Sequence, residues 1–335
     1  MHRCTASIVV VTSDRPIDLR RCLGVLRSHL RDFAHGGVEV ITVHSPTDHE
    51  ALAMVRTEFA EVRAIVANER HISRQRNLGA RHARGDVVIY LDDDAWPHDG
   101  WLHELLTAFA DPRVVAASGP VFRGDGSLQN ERLAATAIGR LSPLREHDVL
   151  ARGSSPSFSG CNLAVRRSAL FACGGFDQNL PYQPDDMDVC RRLFAHANHD
   201  PLAMSYRPRA SVTHESSPGP YRRTLQDRAW YVVARDNVYF ACRHAGLVRG
   251  VLGSLVLQAP KLVRFCKWML TGKLTPIAFC RCVGKHVAGV VAGIVKGATH
   301  DAALPLVALP RETNEAIGVR SIVEENPSCR TPQPV

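Results

Sequence analysis

Between Asn237 and His300 the sequence contains no aspartate or glutamate, yet it holds nine basic residues: Arg243, Arg249, Lys261, Arg264, Lys267, Lys273, Arg281, Lys285 and Lys296. The net charge of the whole 335-residue chain is +8, so the entire positive excess belongs to this one region. Also missing is any CxxC pair. The ten cysteines are scattered from Cys4 to Cys329, which excludes the disulfide framework of a small secreted domain and fits reduced thiols in a cytosol. No uncharged apolar run approaches the roughly 18 residues that span a bilayer. The longest, VLGSLVLQAP and VAGVVAGIV, stop well short, so a spanning helix is not expected. The N-terminal MHRCTASIVVVTSDRP has too short an apolar run for a secretion signal and reads as a first strand. A hydrophobic content of 45% supplies a full core, in one large domain or two smaller ones, and excludes a disordered chain.

What is present in the first part is alternation. SIVVVTS reads as a strand, PIDLRRCLGVLRSHL as a helix with Pro16 in its first turn, VEVITV and VRAIVAN as strands, and SRQRNLGARHA as a helix capped by Ser73. The strand DVVIYL, the helix WLHELLTAFA and the strand VVAASGPV follow. This order predicts a mostly parallel sheet with helices on both faces. Ligands of such sheets bind beyond the carboxyl ends of the strands. From Ser118 to Asp236 the pattern is less regular, and Gly, Pro and Ser clusters at 153–160 and 216–220 read as loops around a second site. Pro260 and Pro276 are expected to divide the basic region into short helices, and ETNEAIGVRSIVEENPSCRTPQPV reads as a mobile tail.

Two acidic clusters carry the chemistry. In YLDDDAWP three adjacent acids follow an apolar strand, where they repel one another and are poor strand formers. A divalent cation among them removes that repulsion; hard oxygen ligands suit Mg²⁺ or Mn²⁺, whose shell substrate phosphates complete. The plainer alternative is a solvated acidic turn. In PDDMDVCRRL, Asp185, Asp186 and Asp188 open a helix, where the dipole alone favours acids. Two such clusters in one chain weigh against both plain alternatives.

Taken together, VVVTSDRPIDLRRCL (9–23), RQRNLGARHARGDVVIYLDDDAWP (74–97), SGCNLAVRRSALFACGGFDQNLP (159–181) and PDDMDVCRRL (184–193) resemble the family 2 glycosyltransferases over roughly residues 5–240. Their order and spacing are the specific part. The resemblance implies a GT-A fold, which is α/β and Rossmann-like with a mostly parallel sheet flanked by helices, here with a C-terminal helical basic extension. It divides the chain into a nucleotide-sugar half (1–117), an acceptor and catalytic half (118–236), the extension (237–310) and a flexible tail (311–335). It implies inverting transfer of a hexosyl or deoxyhexosyl unit from a nucleotide-diphosphate sugar, with Mn²⁺ or Mg²⁺, to a hydroxyl of a glycan, lipid-linked or small-molecule acceptor.

By position, the family's DxD motif falls on Asp92 and Asp94, with Asp94 the direct metal ligand. His214 in RASVTHESS fits the histidine that completes the metal or phosphate site in some members, or is structural. Thr12, Arg15, Arg74, Arg76, Asn77, Asp92 and Asp93 fall on the donor side. Arg76 or Arg74 would compensate the diphosphate, the alternative being a surface arginine. The family's acidic pair falls on Asp185 and Asp186, with Asp186 as base. Asn162, Arg166 and Asp177 are secondary candidates on the acceptor side. One departure stands out: VHSPTD puts His44 and Ser45 where members carry an Asp pair toward the nucleobase, leaving Asp48 or Asp14 to substitute.

Competing classes fit less well. An aspartyl phosphatase needs Thr or Val after its DxD, and Ala95 follows here; a sugar nucleotidyltransferase needs a glycine-rich loop that VVVTSDRP lacks. A catalytically degenerate relative that binds partners or membrane is the non-enzymatic alternative. The basic region fits helices lying on an anionic membrane, at the inner face of the cell membrane beside a lipid-linked acceptor, and fits equally a helical appendage with a solvated basic face. No nucleic-acid recognition motif accompanies the charge, so nucleic acid is not an expected partner.

Overall fold

The computed structural model describes residues 5–30, 37–145, 148–181, 184–215, 220–273 and 275–299. The tail at 311–335 and residues 216–219 of the second loop cluster lie outside them. β1 (Ala6–Thr12) is rich in β-branched residues and alternates its side chains, sending Ile8 and Val10 to one face and Val9 to the other. Helix α1 (Pro16–Leu30) starts on the proline and buries Leu19, Cys22, Leu23 and Leu26 at helical spacing. β2 (Val38–His44), α2 (His49–Glu58), β3 (Arg63–Val66), α3 (Ile72–His82) and β4 (Val87–Asp92) continue the alternation, and β1 pairs in parallel with both β2 and β4.

Two details differ from the sequence reading. Helix α2 was not expected; it shows only three buried residues, Ala51, Met54 and Val55, a weak stripe among polar neighbours. The α3 cap is His71, whose ring accepts from the Arg74 N–H, whereas Ser73 lies inside the helix and donates to the Leu180 carbonyl.

After β5 (Ala95–Pro97) and α4 (Trp101–Ala108) come short strands β6 (Ala116–Ser118), β7 (Val121–Phe122), β8 (Leu128–Asn130), β9 (Leu133–Ala135), β10 (Leu141–Pro143) and β11 (Ser155–Ser157). Then follow β12 (Leu163–Arg166), α5 (Arg167–Ala172), α6 (Asp185–His196), β13 (Met204–Tyr206) and β14 (Val212–His214). The main sheet has seven strands in the order β13-β6-β12-β4-β1-β2-β3, with β12 antiparallel to both neighbours and the other pairs parallel. One face packs Ile8, Val10 and Ile89 against Leu23, Met54 and Trp101; the other packs Val9, Val88 and Tyr90 against Phe176, Leu193 and Phe194. Helices therefore cover both faces, the expected mixed α/β architecture.

The basic region forms long helices rather than short ones. α7 (Pro220–Ala245), α8 (Leu247–Leu270) and α9 (Pro276–Thr299) lie side by side, and Pro260 sits inside α8 without ending it. α9 runs along α7 on glycines: a Cβ at Gly289, Gly293 or Gly297 would collide with the Tyr231 carbonyl, the Arg235 carbonyl or Cys242. By length and composition α9 could cross a membrane, which the count of uncharged runs missed because Arg281, Lys285 and Lys296 interrupt its apolar sequence.

Candidate active site

The register aligns Thr12 with His44 and Val11 with Asp92, so β1, β2 and β4 finish level at one edge of the sheet. The acid triplet begins at that edge. Past it the chain returns as β5, on which β14 pairs antiparallel with His214 opposite Ala95. That pairing carries a histidine from far along the chain to Asp94, with Nε2 3.2 Å from Oδ1.

Every acid of the triplet meets a cation. Arg76 Nη2 donates to Asp92 at 3.1 Å, Arg15 Nε to Asp93 at 3.1 Å, and Arg15 Nη1 to Asp94 at 2.6 Å. Three adjacent carboxylates are thus tolerated beside two guanidiniums and an imidazole. Asp93 and Asp94 are fully buried, and the Asp92 side chain keeps 21% exposure. Burial raises the Asp93 pKa despite Arg15. For His214 burial works downward, but the pairing with Asp94, helped by Cys161 and Asp92, overrides it and pushes the pKa up to about 11.

Ligand atoms of Asp92, Asp94 and His214 lie within 4.8 Å of one another. Two carboxylates and one imidazole form a donor set that fits a divalent cation of the Mn²⁺ type, which would share Asp94 with Arg15.

The second acidic cluster meets the first through Arg76. Its Nη1 donates to Asp185 at 2.6 Å while Nη2 holds Asp92. Gly160 makes room for this guanidinium, since a Cβ there would stand 2.7 Å from Arg76 Nη2. Burial works to lower the Arg76 pKa, but Asp185 and Asp92 outweigh it and keep the group cationic. Asp186 is held differently: Oδ2 accepts from the Gly160 N–H at 3.1 Å and Oδ1 from the Met187 N–H at 2.7 Å. It is half-buried where Asp185 is buried, so it is the more accessible carboxylate of the pair. Burial raises the pKa of both.

Other sequence candidates lie in framework positions. Arg74 is exposed and paired with Glu69, away from the acids. Asn77 bonds the backbone N–H and carbonyl of Phe176, both at 2.8 Å. Thr12 is buried at the end of β1, its carbonyl accepting from Gln75. Asn162 joins Trp101 Nε1 to the Ala210 carbonyl, and Arg166 binds the carbonyls of Val114, Phe109 and Asp111. Asp177 accepts from Tyr239 and Arg243 of α7. His44 is fully buried, with its ring between Asp48 and Thr42 at 2.9 Å each, and Asp48 also accepts from the Asp14 N–H. Asp14 adopts a left-handed φ of 56° and pairs with Arg70; it is half-buried where Asp48 is buried, so of the two possible substitutes it is the more accessible. Reading by motif did not find Arg70 or Gly160, because neither carries a pattern until the chain is folded.

The family model for glycosyl transferase family 2 matches residues 7–172. Over 240 residues the chain is 28% identical to the pre-mycofactocin glycosyltransferase of Mycobacterium tuberculosis, covering 66% of this chain and 48% of that protein. The chain thus spans about half the length of this curated relative. Among solved structures, the mannosyltransferase PcManGT from Pyrobaculum calidifontis, in complex with GDP-Man and Mn²⁺, superposes with a TM-score of 0.51 at 18% identity, covering 89% of this chain and 88% of that one. S. aureus TarS 1-349 gives 0.51 at 14% identity over 85% and 81%. At these identities the likeness speaks for the fold.

Proposed function

Because the chain belongs to glycosyl transferase family 2, we propose that it moves a sugar from a nucleotide-diphosphate donor to an acceptor hydroxyl with inversion at the anomeric carbon. The observation that carries this reading is the joining of both acidic clusters by Arg76 at one edge of the sheet. A divalent cation held by Asp92, Asp94 and His214 would, when bound, neutralise charge growing on the leaving diphosphate. Mn²⁺ is the first choice, since the mannosyltransferase from Pyrobaculum calidifontis is in complex with it.

The chain's own residues supply the rest. Arg15 and Arg76 already sit on the acids that face the diphosphate and lend positive potential to that side. Asp185 is committed to Arg76, whereas Asp186 has only backbone donors and is free to take the acceptor's proton. Inversion follows if the hydroxyl attacks from the side opposite the diphosphate in one displacement. Asp14, with Arg70, is the candidate contact to the nucleobase in place of the missing Asp pair. The donor half remains assigned to 1–117 and the acceptor half to 118–236.

The acceptor is assigned to a lipid-linked glycan or polysaccharide, reached by peripheral contact with an anionic membrane at its cytoplasmic side. Exposed Val248, Leu252, Leu255, Val256 and Val263 on α8 lie among Arg249, Lys261 and Arg264, the mixture that suits an interfacial helix. Since α9 buries its glycine face on α7, the helices are read as lying on the surface rather than crossing it.

Asp186→Asn tests the base assignment. Turnover is expected to fall by ~10²–10⁴-fold while donor affinity stays near wild type. An active Asp186→Asn beside a dead Asp185→Asn would overturn it.

A further inference from the structure

A cavity of about 490 Å³ lies between the C-terminal half of α6, residues 150–155 and the end of α7. Arg191 to Ala195, on its wall, stand roughly 9–15 Å farther along α6 than Asp185, at 1.5 Å per residue. Arg152, Arg191, Arg192, His199 and His244 line it, and among the described lining residues there is no aspartate or glutamate.

Two of these basic side chains are already engaged. Arg192 and His244 both hold Asp188 beneath the cavity, at 2.5 and 2.8 Å. Arg191 is held otherwise: it donates to the carbonyls of Ala135 and Gly153, at 3.2 and 3.1 Å, and to Ser155 Oγ. Neutral acceptors fix its direction, and the carboxylate that acts on its charge, Asp188, is already bound by Arg192 and His244. Burial accordingly works against its charged form. Arg152 adds a second charge from an exposed position on the rim. His199 reaches the wall through two successive left-handed residues, Asn198 and His199, at φ 54° and 61°. Strain of that kind, about 1–3 kcal/mol per residue, persists where surrounding structure imposes it and is frequent around ligands.

A half-buried guanidinium hydrogen-bonded only to neutral acceptors favours an anion, and a tetrahedral oxyanion offers enough acceptors for several forked donors at once. The cavity also has an apolar neighbour. Three residues beyond His244 begins α8, whose first two turns expose Leu247, Val248 and Leu252.

We propose that this cavity is a second ligand site, apart from the acid triplet, that takes a phosphoryl group. Free phosphate and a phospholipid headgroup share that chemistry; in the second case the acyl chains follow the exposed residues of α8. The inference does not depend on the transferase reading.

The test uses the whole chain in EDTA, so that no divalent cation recruits phosphate to the triplet. Melting temperature is followed against inorganic phosphate and against dihexanoyl phosphatidate below its micelle concentration, at constant ionic strength. Saturable stabilisation is expected, with apparent affinity about fivefold or more weaker in Arg152→Gln, the loss of a charge-assisted bond. Arg191→Gln should show the same loss, but Arg191 also ties residues 153–155, so the exposed Arg152 gives the cleaner answer. Tighter binding of phosphatidate than of phosphate supports the site and makes its ligand a lipid headgroup; equal binding supports it and makes the ligand a free phosphate. No stabilisation by either probe, or equal stabilisation of wild type and Arg152→Gln, overturns the proposal.

Discussion

Asp185 and Asp186 are neighbours in sequence with different surroundings, and that difference bears on pH. Burial raises both against the pull of Arg76. A general base must be ionised, so kcat/KM should fall on acidification through the raised value, with an acid limb above the ~3.9 of an ordinary aspartate. Stability runs the other way. A carboxyl whose folded pKa exceeds its unfolded one binds its proton more tightly when folded, so its contribution is full below the ordinary value and fades as pH rises through the raised one. Across that window wild type should therefore gain activity while losing stability relative to Asp186→Asn, as read by kcat/KM profiles and urea titrations at matched pH. A limb at the ordinary carboxylate value would contradict this. The acids themselves were legible as motifs. Their partners were less so: that Arg15 grips Asp93 and Asp94, or that His44 turns inward to Asp48, depends on strand register, which a linear pattern does not fix.

At the scale of elements, Asp188 fastens α6 to the C-terminal helices. It lies fully buried on α6, gripped by Arg192 one turn on and by Arg243 and His244 from α7. Burial alone would raise its pKa, but Arg192, the hydrogen bond with His244 and Arg243 outweigh burial and hold it well below the usual carboxylate range. Its contribution to stability is therefore present above the ordinary aspartate value and lost as pH falls. Asp188→Asn leaves Arg192 without its anion and should cost on the order of 3–5 kcal/mol. A denaturant midpoint showing less than about 1 kcal/mol would mean that solvent already screens the cluster. The alternation of β1 to β4 with helices and the start of α6 were readable because apolar period and acidic first turn agree locally. Pro260 misled, since packing of α8 on α7 sustains a helix that local chemistry alone would break. α2 escaped because its buried stripe is only three residues.

At the scale of the whole molecule, the proposed sugar-transfer centre sits on a scaffold whose net positive excess lies in helices with exposed valines and leucines. If those helices rest on a membrane, sedimentation with liposomes should require acidic lipid and weaken with salt, because each surface basic residue contributes about 1 kcal/mol that ions screen. Equal recovery with neutral vesicles would favour a packed appendage with a solvated face. That choice was open in the sequence, because charge and apolar content fit both arrangements. The central claim, that Asp92, Asp94 and His214 bind a nucleotide sugar through a divalent cation, is met most directly by a thermal-shift panel of nucleotide sugars with Mn²⁺ or EDTA, on wild type and Asp94→Ala. The account predicts that at least one donor raises the melting temperature of wild type with Mn²⁺, and that EDTA or Asp94→Ala abolishes the shift. A donor that stabilises the protein equally in EDTA, or equally in Asp94→Ala, would contradict it.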